Sequence, residues 1–259
     1  MTDQTVLTRA SLGALSRPVL AFVRDDDTGW GDESLWALLD LFEEAGMPID
    51  LAAIPAAMHD DLARRLCERI DAGADVGVHQ HGFSHTNHEA AGRQCEFGLS
   101  RSVASQRADL EQGWHRLRCV LGDRTDRFFT PPWNRCAPWT PGLLTELGYR
   151  ALSREHRATP TEALQCLDVC LDWSRVWREG GPLALDAAFA QAVVESERAQ
   201  RPLGLMLHHA AMSDAEFEAL RGWLRVLQED PLLRWRPMRE LLTPCSHPPP
   251  SGIFQESFS

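Results

Sequence analysis

Lysine is absent from this sequence: all 26 basic side chains are arginine. That absence excludes a Schiff-base lysine, a pyridoxal-phosphate anchor and the lysine of a phosphate-binding P-loop. Positive charge is scarce as well, because 37 Asp and Glu leave a formal charge of −11 over 259 residues. With no net positive field to attract phosphates, a nucleic-acid partner is not expected. The N-terminal segment shows no basic stretch followed by an apolar run and a small-residue cleavage site, so no signal peptide is expected. No apolar run approaches the ~20 residues of a membrane span, so no membrane partner is expected either. Seven cysteines, at 67, 95, 119, 136, 166, 170 and 245, are odd in number and scattered. Reduced thiols in the cytoplasm are the simplest reading.

What the sequence does contain is a hydrophobic content of 44%, enough for a sizeable core. From Pro18 onward, short apolar runs alternate with longer amphipathic ones. Strands are expected at 19–23, 49–54, 75–79, 128–130, 149–153, 166–173 and 203–207. Helices are expected at 33–45, 58–72, 101–121, 141–147, 184–199 and 214–229, with Gly46 and Gly73 closing the first two. This alternation predicts an α/β fold of about seven parallel strands with helical crossovers, closed into a barrel-like sheet. The chain divides into an N-terminal arm (1–17), one domain (18–242) and a C-terminal tail (243–259). In parallel sheets reactive groups gather where strands end, and the polar clusters here stand at such ends.

Five clusters carry chemistry. RDDDTG (24–29) follows the first strand, and three adjacent carboxylates need a cation, a proton or solvent. VHQHGFSHTNHE (78–89) holds His79, His81, His85 and His88, four of ten histidines. His81 and His85 are four apart and can aim at one point, and imidazole suits first-row metals. The Glu of a zincin motif is missing, since Gly82 stands in its place, so a base must come from elsewhere. In FFTPPWNR (128–135) two prolines present Trp133 as a flat wall suited to a sugar ring, beside Asn134. LDVCLDWS (167–174) ends in Asp172 and Trp173, and LMLHHAA (205–211) ends in His208 and His209. Cys170 lies in the former run and Cys166 just before it, and both read as core rather than as metal ligands.

The order of these clusters resembles the five motifs of the NodB-like polysaccharide deacetylases, carbohydrate esterase family 4, over residues 18–242. HGFSH is similar to the family's His-[Ser/Thr]-x-x-His pattern, and QHGFSHTNHEAAG resembles a cytoplasmic bacterial branch rather than secreted chitin deacetylases. The resemblance implies a distorted (β/α) barrel and a hydrolase that removes an acyl group, N-acetyl first, from a sugar or glycan-like substrate. It implies Asp26 as base, His208 as acid, and Asp27, His81 and His85 as ligands of one divalent metal. Zinc comes first, with cobalt, nickel, manganese or iron as alternatives. Trp133, Asn134, Asp172 and Trp173 are implied to bind substrate, and a backbone N–H near Trp133 to hold the oxyanion. Asp25 competes with Asp26, His209 with His208, and His88 is a further candidate. The third motif's arginine is replaced by Thr130, so Arg24 or Arg135 must substitute, or the chain is a non-catalytic carbohydrate-binding relative. An iron oxygenase using the Asp and two His ligands is a third reading, without its usual His-x-Asp/Glu spacing.

Overall fold

A computed structural model describes residues 5–243 of the chain. Its centre is β1 (Val19–Thr28), buried along nearly its whole length, as a strand covered on both faces must be. Alternation sorts its side chains. Ala21 and Val23 join the core beneath the helices with Leu51, Val78 and Leu205. Phe22 points the other way, into the barrel interior with Phe128, Val169 and Met206.

Eight strands form one path, and every pairing in it is parallel. Beside β1 lies β2 (Ile49–Ala53), followed outward by β3 (Val76–His81), β4 (Thr125–Thr130), β5 (Ala151–Leu152) and β6 (Gln165–Cys166). On the other flank lie β8 (Leu203–Leu207) and then β7 (Leu171–Asp172). A ninth strand, β9 (Leu233–Trp235), pairs in parallel with the start of β1. The sheet is a curled half-barrel, close to the seven strands expected.

One expected strand is two. The run 166–173 supplies β6 at one edge of the sheet and β7 at the other, and residues 167–170 cross between them. Leu167 and Val169 fill the barrel interior while Leu171 joins the helix-side core, so the segment closes the open side instead of extending one strand. The opposite correction applies at β1 and β3. Both run past their apolar stretches, through the acidic cluster to Thr28 and through His79 to His81.

Helices cover the outside: α1 (Val6–Gly13), α2 (Asp32–Ala45), α3 (Asp60–Asp71), α4 (Val103–Leu121), α5 (Thr140–Glu146), α6 (Trp173–Ala199) and α7 (Asp214–Glu229). The helix expected at 184–199 starts eleven residues earlier, at Trp173, and bends where Gly181 (φ 63°) meets Pro182. Within the expected arm, α1 docks on α6: the backbone N–H groups of Leu7 and Thr8 donate to the Asp186 carboxylate at 2.9 and 2.8 Å. An anion at a helix N-terminus is favourable there. The expected tail lies outside the described residues apart from Thr243. No helix of the described residues is long and apolar enough to cross a membrane.

Candidate active site

The three aspartates at the end of β1 have three separate fates, and strand geometry explains them. Arg24 and Asp26 are two apart, so both face the barrel interior. Arg24 donates through Nε and Nη2 to the two carboxylate oxygens of Asp26 at 2.7 and 2.9 Å. Both are buried, at 0% and 2% exposure. Burial raises the Asp26 pKa, but the charge of Arg24, with His81, His208 and the Arg24 hydrogen bonds, outweighs it and holds the carboxyl below its ordinary value. Arg24 also donates to Ser153 Oγ at 2.7 Å and to Asn134 Oδ1 at 2.8 Å.

Asp25 points to the helix side. There its Oδ2 meets His209 Nδ1 at 2.5 Å and its Oδ1 accepts from the His209 backbone N–H at 2.9 Å. Asp27 would follow Asp25 if the alternation continued. Instead a bulge interrupts the pairing of β1 with β2 between Asp25 and Thr28, and Asp27 takes a left-handed φ of 71°. The extra residue re-aims its carboxylate.

That carboxylate meets two imidazoles. Asp27 Oδ1 is 3.3 Å from His81 Nε2 and 3.2 Å from His85 Nε2, and the three donor atoms form a compact cluster. Tetrahedral ligands about 2.0–2.1 Å from one zinc ion stand roughly 3.3 Å apart, so the spacing fits. Asp27 Oδ1 is buried and has no hydrogen-bond partner, as suits an atom kept for an ion. Burial raises the Asp27 pKa, but the neighbouring His81, with His85 and His208, outweighs it and brings it to about 2. His81 Nδ1 donates to the Thr130 carbonyl at 3.0 Å, which aims Nε2 at Asp27.

His85 is reached through a turn that sequence reasoning did not explain. Gly82 and His85 are left-handed, at φ 56° and 55°. The buried Glu96 carboxylate holds the turn by accepting from the backbone N–H groups of Phe83 and Ser84 at 3.2 and 2.8 Å. Glu96 was missed because nothing local marks a carboxylate eleven residues beyond His85 as part of the site. Left-handed backbone also appears at Trp133 and Asn134, at φ 56° and 58°. Four of the five non-glycine residues with positive φ among those described, Asp27, His85, Trp133 and Asn134, therefore lie at this site. Strain so concentrated points to function.

Other candidates are placed as follows. His208 Nε2 is 4.0 Å from Asp26 Oδ2, with its side chain 26% exposed. The Trp133 ring is 4.4 Å from that of His85. His209 is buried against Asp25, and neither side chain is open to solvent. His88 is exposed and outside the ligand cluster. Asp172 turns away to cap α6, accepting from the Arg175 backbone N–H at 3.0 Å. Trp173 is fully buried, packed against Trp177 and Trp223, with no face open to a ligand. Both corrections share a cause, because the chain enters α6 at this point. Arg135 reaches the Gln94 carbonyl rather than Asp26. His79 bonds Thr130 Oγ1 at 2.9 Å, and burial with the nearby Arg24 charge pushes its pKa down to about 3, so it is neutral. Trp30, which sequence reasoning also missed, stands 4.8 Å from the His85 ring.

The fold is the NodB-like distorted (β/α) barrel. No protein-family model matches the chain. No curated protein matches it. Among solved structures it is similar to a protein from Mycobacterium smegmatis described as a polysaccharide deacetylase. That pair shares 16% identity over 87% of this chain and 90% of the other, with a TM-score of 0.65. A family 4 carbohydrate esterase from Bacillus anthracis matches at 15% identity over 91% of both chains, with a TM-score of 0.56. A family 4 pseudoenzyme from the same organism matches at 14% identity over 85% of this chain and 63% of the other, with a TM-score of 0.55. At these identities the likeness is one of fold.

Proposed function

We propose that the protein is a metal-dependent hydrolase that removes an acyl group, N-acetyl first, from a sugar or glycan-like substrate. One observation carries this reading: the Asp27, His81 and His85 donors converge while an arginine-held carboxylate and a histidine stand beside them. Asp27, His81 and His85 would hold a divalent ion, zinc by the donor set, which supplies carbonyl polarisation and a more acidic water.

The remaining work belongs to the chain. Asp26, kept ionised by Arg24, accepts the proton of the attacking water. His208 stands across from it and delivers a proton to the leaving nitrogen as the C–N bond breaks, giving acetate and a free amine. Trp133 offers a flat apolar wall and Asn134, tied to Arg24, a polar edge. The non-catalytic reading rested on Thr130 in the place of an arginine. Arg24 supplies the missing contact from β1, which favours turnover. The six described cysteines are all free, which suits a reducing compartment and a soluble cytoplasmic substrate.

The test is acetate release from N-acetylglucosamine and its short oligomers by zinc-loaded protein. Asp26→Asn should abolish release while zinc stays bound. Zinc-loaded wild type that releases no acetate from any of these sugars would remove the reading.

A further inference from the structure

Trp30 is 43% exposed, yet its backbone is held from both sides. It sits between Gly29 (φ 119°) and Gly31 (φ 63°). A Cβ on Gly29 would come within 2.8 Å of the Ala57 Cβ, and one on Gly31 within 3.0 Å of the Ala210 Cβ, so the turn is packed on both sides. The Trp30 N–H donates to the Asp27 carbonyl at 3.0 Å. Its own carbonyl accepts from His209 Nε2 at 2.7 Å.

His209 is held at both ring nitrogens, Nδ1 at the Asp25 carboxylate and Nε2 at this carbonyl. The pair is wholly buried and cannot touch a substrate. What it does instead is fasten the Trp30 turn to the end of β1. The indole so fixed packs edge-on against the His85 ring at 4.8 Å and 68°, while Trp133 meets the same ring at 4.4 Å and 57°. Two indoles thus flank one ligand of the cluster. One of them spends its exposed face on solvent, on a backbone already ordered before any ligand arrives.

We propose that Trp30 is a substrate-binding residue, an aromatic platform that takes the apolar C–H face of a pyranose ring beside His85, and that the Asp25–His209 pair is its positioning device. This rests on the sugar substrate proposed above and goes beyond it by naming the contact that selects a ring over a free acyl amide.

The probe is fully N-acetylated chitotetraose with zinc-loaded protein. Trp30→Ala should raise KM about tenfold, the factor that ~1.4 kcal/mol of lost contact produces, with kcat and zinc content little changed. Trp30→Phe should recover most of the loss. His209→Asn should raise KM in the same direction, through the platform. A second readout needs no turnover: in Asp26→Asn protein the indole N–H resonance of Trp30, identified by its absence in Trp30→Phe, should shift as the tetrasaccharide is added. An unchanged KM in Trp30→Ala, or a still Trp30 resonance while that of Trp133 moves, overturns the platform and leaves the hydrolase reading intact. A shifted Trp30 resonance in a protein whose wild type binds the sugar without cleaving it supports the platform and removes the hydrolase reading.

Discussion

Arg24 grips Asp26 from two positions earlier on the same strand, with both residues buried and both carboxylate oxygens engaged. The pairing is possible because residues i and i+2 of a strand share a face. It places a cation beside the proposed base without any contribution from β4, where Thr130 spends its hydroxyl on His79. A guanidinium matches a carboxylate at two points, which an ammonium cannot do.

Arg24→Lys should therefore fail as a conservative change. The expected loss in kcat is about 10²-fold, with zinc content retained. Arg24→Gln should also unfold more readily, by about 3–5 kcal/mol, because it leaves a buried carboxylate without its partner. Steady-state kinetics and urea unfolding check the two statements. Wild-type kcat in Arg24→Lys would show that Arg24 does not orient Asp26.

Zinc binding should stabilise the fold, since the ligands come from β1, β3 and the turn after it. At a free zinc concentration of 100 Kd the gain is about 2.7 kcal/mol. His81→Ala and His85→Ala should abolish both the zinc-induced rise in Tm and the bound metal measured by elemental analysis. Full zinc content in His81→Ala would place the ion elsewhere.

Glu96 would act on the same ion through the backbone it holds. Glu96→Gln replaces a charged acceptor of the Phe83 and Ser84 N–H groups with a neutral one, and zinc affinity should fall about 10–100-fold. Gly82→Ala should do the same by another route. Its Cβ would collide with the Glu96 carboxylate and with Pro132, at a backbone φ of 56°. Competition with a zinc chelator of known affinity measures both. Unchanged affinity in both variants would show that the turn holds itself.

Asp50 provides a pH signature at the opposite end of the sheet. It is 1% exposed, and its Oδ2 accepts from the Met238 N–H at 2.8 Å. Burial, with Asp126 and Asp75 nearby, raises its pKa to about 7 against the opposing Met238 bond and Arg239 charge. The native state therefore keeps this proton between about 4 and 7 where the unfolded chain, at 3.8, has lost it. Stability from this group falls as pH rises through that window and levels off above it. Asp50→Asn should be more stable than wild type at pH 8, by about 1–3 kcal/mol, and closer to it at pH 4. Urea unfolding at both values decides the matter. An equal difference at the two pH values would show that Asp50 is ionised in the native state.

Periodicity located most elements because their faces are sorted by burial. Leu35, Leu38, Leu39 and Phe42 mark α2 in the sequence and line the core in the structure. Periodicity failed where a different force ruled. The apolar alternation of 167–171 reads as one strand, but Leu167 and Val169 fill a gap between two sheet edges. Trp173 stands beside Asp172 as if at a strand end, yet it opens a helix and is buried. The polar residues of β1 and β3 concealed strands that continue through them, because only a barrel interior with its own ion pairs lets charged residues extend a strand.

From the sequence alone came the alternation of strands and helices, the gathering of acids and histidines at strand ends, and the rule that no buried cation or base can be a lysine amine, since no lysine exists. Where each aspartate points was decided only in three dimensions. Strand alternation turns Asp25 and Asp26 to opposite faces, and one extra residue in β1 releases Asp27 from that alternation. Likewise His209 is separated from His208 by a partner 184 residues away in the chain. Such pairings depend on register and backbone φ across the sheet, which no local pattern of residue types encodes.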